Sequence, residues 1–148
     1  MKLLSIFLAF FISTTAFAGH HEEGEISANL KSVKAAYTAF NTGNIEAWRA
    51  ELAPDVEWGM QKGMPYEGTL IGAAAIEDNV FSRIDEMFTS FQVKPIAYYE
   101  SGDTVFIHVR MTAEGLDTEV MHMAKMEGGK FARFQVFENT AQMLAAAK

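Results

Sequence analysis

The 148-residue chain has no cysteine. That excludes both a disulfide framework and thiol chemistry, so stability must come from packing. Positive charge is in deficit: 12 Lys and Arg against 19 Asp and Glu leave a net charge of -7. Such a balance argues against nucleic acid or an anionic membrane as partner. No apolar run reaches the roughly 20 residues of a membrane-spanning helix. The longest, "LLSIFLAFFISTTAFA" over residues 3–18, is interrupted by Ser13, Thr14 and Thr15. After Glu25 there is no internal repeat, low-complexity tract or linker.

What the apolar run does offer is export. Lys2 precedes it, and Ala16-Phe17-Ala18 supplies small residues at the two positions a signal peptidase reads. The expectation is a signal peptide over 1–18, a flexible mature start over 19–25 and one domain over 26–148, working in the periplasm or as a secreted protein. Nine methionines and twelve phenylalanines, several of the latter in the leader, suit a plastic apolar interior.

Apolar residues at Ile26, Leu30, Val33, Ala36, Tyr37 and Phe40 follow a helical period, with Ser27 as cap and Gly43 as stop. "NIEAWRAELA" predicts a short second helix ending before Pro54. "DVEWGM" alternates Val56, Trp58 and Met60 on one face, as a half-buried strand does. "GAAAIEDNVFSRIDEMF" returns to the helical period through Ile76, Val80, Ile84 and Phe88. From Phe91 the period becomes two, predicting strands near 91–100, 104–113, 118–126 and 131–139, with turn residues in the gaps. A last helix follows Asn139-Thr140. This order predicts an α+β domain with helices packed on one face of a curved antiparallel sheet.

Four segments, "AFNTGNIEAWRAELAPDVEW", "PYEGTLIG", "YYESGDTVFIHVRM" and "GGKFARFQVFENTA", resemble in order and spacing the nuclear transport factor 2-like superfamily, in its SnoaL-like, ketosteroid isomerase-related branch. The resemblance covers roughly Val33 to Met143. It implies a cone-shaped fold with a pocket between sheet and helices, a dimer formed through the outer sheet face, and, for an enzyme, the acid–base chemistry of an isomerase, cyclase, hydrolase or lyase. Fold alone does not name a reaction.

Pairing the strands about Gly115 sets His108 opposite His122, and pairing about Gly128-Gly129 sets His122 opposite Gln135. One face then carries His108, Arg110, His122 and Gln135. The other carries Met121, Met123, Phe134 and Val136, with Glu138 at its end. The apolar face is the one expected to line the pocket. The histidine face reads as a dimer surface, with a catalytic base or a two-imidazole metal site as the competing readings.

Set against the ketosteroid isomerases, the resemblance puts the oxyanion tyrosine at Ala36, the proton-moving aspartate at Met60 and the second aspartic acid at Met121. None can exchange a proton, so that mechanism is not expected. The final-strand acid of the SnoaL-like cyclases falls at Val136, also inert. Two residues on, Glu138 faces the same way and is the remaining candidate catalytic acid, its pKa raised by apolar neighbours. The competing reading is a solvated carboxylate beside a helix N-terminus. Trp58, Met60 and the loop pair Tyr66-Glu67 complete the candidate pocket, while Tyr37, Tyr98 and Tyr99 read as packing residues.

These residues point to a small apolar or polyketide-like ligand. Two other functions stay open. One is a non-catalytic dimeric scaffold. The other is copper(II) or nickel(II) held by the mature terminus Gly19-His20-His21, with His21 as the imidazole ligand. No cofactor is otherwise expected.

Overall fold

The computed structural model describes residues 26–148. The expected leader, the flexible start and the Gly19-His20-His21 site lie outside the described residues. Helix α1 (Ala28–Asn41) begins where Ser27 Oγ accepts a hydrogen bond from the Leu30 amide at 3.0 Å. It buries Val33, Ala36 and Tyr37 and stops at Thr42; Gly43 then turns the chain with φ +69°. Asn44 caps α2 (Ile45–Ala50), which buries Trp48.

Strand β1 (Leu52–Met60) begins before Pro54, where a helix end was expected. Pro54 falls in the stretch where pairing with the last strand shifts register, so its missing N–H breaks no regular ladder there. The short strand β2 (Gly68–Ile71) was not expected. It is an edge strand of four residues, paired with β1, inside what reads as loop sequence. The expected single helix from Gly72 is divided into α3 (Ala73–Ile76), a π-helical turn (Glu77–Phe81) and α4 (Ser82–Met87).

Strands β3 (Gln92–Ser101), β4 (Thr104–Ala113), β5 (Leu116–Glu127) and β6 (Lys130–Phe137) form the meander, and α5 (Thr140–Ala146) closes the chain. The six strands lie in the order β2-β1-β6-β5-β4-β3. All neighbours are antiparallel except β1 and β6, which run parallel, so the sheet is mixed and not purely antiparallel. The reason is connectivity: β1 joins β6 through the rest of the fold and not through a hairpin.

Register is where the structure departs most from expectation. The β4–β5 connection is the two-residue pair Glu114-Gly115, flanked by Ala113 opposite Leu116, so His108 faces Met121 and Ile107 faces His122. The β5–β6 hairpin starts with Glu127 opposite Lys130, but an irregularity at Lys125/Met126 adds a residue to β6. Beyond it His122 faces Val136 and Met123 faces Gln135. Each hairpin differs by one residue from the expected pairing. A one-residue slip exchanges the two faces of a strand, so all of β5 is reversed: His122 points inward, and Met121 and Met123 point outward. The inner face buries Val105, Ile107, Val109, Val120 and Ala124 beneath the helices.

Candidate functional site

Between the inner sheet face and the helices lies a cavity of about 80 Å³. A single water needs roughly 10–15 Å³ by the same measure, so the space exceeds that of one water several times over. The wall is largely aromatic. Trp58 on β1 and Phe134 on β6 stack with centroids 4.0 Å apart. Trp48 on α2 meets Trp58 edge-on at 5.8 Å and Phe81 of the π-helical turn at 4.7 Å. Met60, Met111 and Met143 add deformable surface. Among the described residues no lysine or arginine lines the cavity; its polar side groups come from Tyr37, Tyr66, His122 and Glu138.

Glu138 follows β6 and is buried. Its backbone amide donates to Gln61 Oε1 at 2.7 Å, which fixes the chain, while its carboxyl Oε1 has no partner. Burial pushes its pKa up to about 7. Tyr66, from the 61–67 loop, shares this end of the cavity; burial, and then the Glu138 charge, raise its pKa. Both effects come from placing ionisable groups where little solvates the charge.

Tyr37 and His122 form the second polar pair. Tyr37 Oη lies 2.6 Å from His122 Nδ1, with both side chains buried. Their rings stack at 6.0 Å, and Phe134 meets the imidazole edge-on at 5.1 Å. Burial lowers the His122 pKa to about 3 and raises that of Tyr37 well above its ordinary value. The pair is therefore neutral across the physiological range.

Of the residues singled out from sequence, Trp58, Met60, Tyr66, Phe134, Val136 and Glu138 line the cavity. Glu67 does not: it is exposed, and its Oε2 accepts from the Gly63 amide at 2.6 Å, bracing its own loop. Met121 and Met123 are also absent from the wall, because the reversed β5 register turns them outward. His108, Arg110 and Gln135 do lie on the outer face. There His108 Nε2 sits 2.8 Å from Glu119 Oε2, and Arg110 holds Asp117 through two hydrogen bonds. Gln135 Nε2 donates to the Gly59 carbonyl at 3.2 Å.

His122 is the correction that matters. It leaves the expected dimer surface for the cavity, away from His108 and Gln135, so the imagined His-His-Gln cluster does not form. Among the described residues, no group of three or more His, Asp or Glu is placed to hold a metal ion. Tyr37, expected as a packing residue, also holds its buried hydroxyl against His122. Thus a Tyr–His pair stands on the wall where Ala36 and Met121 had suggested only apolar groups. The signal that would have found it was the turn length: reading Glu114-Gly115 as a two-residue connection puts His122 on the inner face.

Comparison with known proteins agrees with this architecture. A nuclear transport factor 2-like protein of unknown function from Burkholderia pseudomallei is similar at 26% identity, over 82% of this chain and 98% of that one, with a TM-score of 0.74. Another, from Burkholderia thailandensis, is 28% identical over 82% and 98% of the two chains, at a TM-score of 0.72. TerC, crystallised with polyporic acid, is 25% identical over 81% and 98%, at 0.73. No curated protein matches. The SnoaL-like domain family matches residues 33–134, from the middle of α1 to the Phe134 of the cavity wall. The chain belongs to the SnoaL-like domain family.

Proposed function

We propose that the protein binds a small, neutral, apolar molecule of polyketide-like character in this cavity and transforms it by acid–base chemistry at Glu138. The observation that carries the reading is that Glu138 is, among the described residues, the one acidic side chain in a predominantly apolar cavity lining, with a carboxyl oxygen left without a partner. A carboxyl that titrates near neutrality is populated in both forms and can take or give a proton at the working pH. An apolar wall with a few placed polar groups suits a neutral ligand, and a lining without Lys or Arg among the described residues disfavours an anion. Small-molecule binding also has a precedent in the fold, since TerC crystallises with polyporic acid.

The place of action in this proposal is outside the cytoplasm, after loss of residues 1–18. The outer sheet face, with His108, Arg110 and Gln135 among exposed Phe106 and Phe137, is the proposed homodimer surface.

The test is mass spectrometry of compounds released when the natively purified protein is denatured, paired with the Glu138→Gln variant. A stoichiometric neutral apolar compound, turned over by the wild type and only retained by Glu138→Gln, is expected. Recovery of an anion, or equal turnover by both proteins, contradicts the proposal.

A further inference from the structure

The proposed role of Glu138 leaves the Tyr37–His122 pair of the lining without a use, and that pair holds an unspent hydrogen-bonding group. His122 is 5% exposed. It sits on β5 between Ile107 of β4 and Val136 of β6, and it lines the cavity. Its Nδ1 is taken by Tyr37, while its Nε2 is buried with no partner.

The tautomer follows from the chemistry of the two groups. A phenol is a strong neutral donor, and an unprotonated imidazole nitrogen is a strong acceptor. Tyr37 Oη is therefore assigned as the donor to Nδ1, 2.6 Å away. A neutral imidazole that accepts at one nitrogen carries its proton on the other. Nε2–H is then a fixed donor that the protein leaves unsatisfied, and buried N–H groups are rarely orphaned in native structures.

We infer that His122 Nε2–H is the polar anchor for the ligand, donating to an acceptor oxygen of a neutral carbonyl compound, with Tyr37 as the residue that positions the ring and sets its tautomer. The inference rests on the proposed binding of a neutral apolar ligand and narrows its class to ketones and related carbonyl compounds. A carbonyl oxygen accepts without bringing a donor of its own; Phe134, which meets the ring edge-on, offers no acceptor for one, and the unpartnered Glu138 carboxyl of the lining is the group assigned to proton transfer in the proposed function. The apolar body of the ligand lies along the Trp58–Phe134 stack.

The experiment uses two probes of one shape, acetophenone and ethylbenzene, which differ in the carbonyl. Protein labelled with ¹⁵N-histidine is examined by long-range ¹H–¹⁵N correlation to read the tautomer of each ring, first free and then with each probe. The expected result is an Nε2–H tautomer for His122 that persists from pH 8 to pH 5, with a proton resonance that moves on adding acetophenone but not ethylbenzene. The binding counterpart is His122→Phe, which should weaken acetophenone about tenfold, the equivalent of one buried hydrogen bond, and leave ethylbenzene within about twofold. His122→Gln keeps an N–H donor and should recover part of the loss, and it serves in place of His122→Phe if the latter does not fold.

An Nδ1–H tautomer overturns the assignment without any ligand. Equal weakening of both probes overturns the carbonyl preference alone and leaves an apolar binding cavity. Uptake of neither probe overturns the binding reading of the cavity, and the carbonyl assignment with it.

Discussion

Tyr37 Oη and His122 Nδ1 are 2.6 Å apart, although the two residues are 85 positions apart in the chain and lie on α1 and β5. The contact ties the first helix to the middle of the sheet. Removing the hydroxyl with Tyr37→Phe leaves Nδ1 buried without a partner. We expect a loss of about 1–3 kcal/mol in urea unfolding, with the slope unchanged.

His122 also links stability to acid. Its folded pKa of about 3 lies below the ordinary value of 6.5, because burial disfavours the imidazolium. The unfolded chain therefore takes up a proton first, and stability falls as pH drops through 6.5 towards 3. Tyr37 and Phe134 meet the ring, Glu138 is the one carboxyl among the described residues of the same lining, and burial is what sets the direction of the shift. His122→Phe should flatten that part of the stability-against-pH curve, measured by urea unfolding at a series of pH values. An unchanged acid limb would mean that His122 is charged in the fold.

Glu138 gives the opposite sign. Its folded pKa of about 7 is above the ordinary 4.5, so its favourable contribution is complete below pH 4.5 and is lost as pH rises through 7. The polar groups facing this end are Tyr66 and Gln61, and neither carries a positive charge. At pH 8 Glu138→Gln should be more stable than the wild type by about 2 kcal/mol, and at pH 4 the two should be close. A catalytic rate that depends on the ionised carboxylate should rise with a midpoint near 7 in the same buffers.

The reversed face of β5 can be checked by charge insertion at adjacent residues. Met121 is half-buried on the outer face and Val120 is buried on the inner one. Met121→Glu should leave the monomer folded and should disperse a dimer built on that surface, as read by sedimentation. Val120→Glu should cost more than about 4 kcal/mol and prevent folding. Tolerance at 120 with unfolding at 121 would restore the pairing expected from sequence.

At Gly59 a side chain has no room of its own. An added Cβ would come within 2.1 Å of Gln135 Oε1, so Gly59→Ala must displace the amide that donates to the Gly59 carbonyl. We expect a cost of about 1 kcal/mol that largely disappears in a Gln135→Ala background, the signature of direct coupling in a double-mutant cycle.

Residue chemistry alone determined the local elements that need only their neighbours. Ser27 and Gly43 delimit α1 because a cap and a positive φ are short-range requirements, and the two-residue period after Phe91 marks the four long strands. The same alternation placed Trp58, Phe134, Val136 and Glu138 on the side that became the cavity. It did not show β2, whose four residues are too few to display a period, nor the parallel pairing of β1 with β6, which joins segments far apart in the chain. Above all it could not place His122. Alternation says which residues of β5 share a face, but not which face is inside. His122 and its outward neighbours Met121 and Met123 interrupt the apolar rule that usually decides this. That choice was made by a two-residue turn and one extra residue in β6, and it brought the imidazole to Tyr37. Register is a property of paired strands and not of either strand alone, so alternation within β5 left it open and the pairing of the strands settled it.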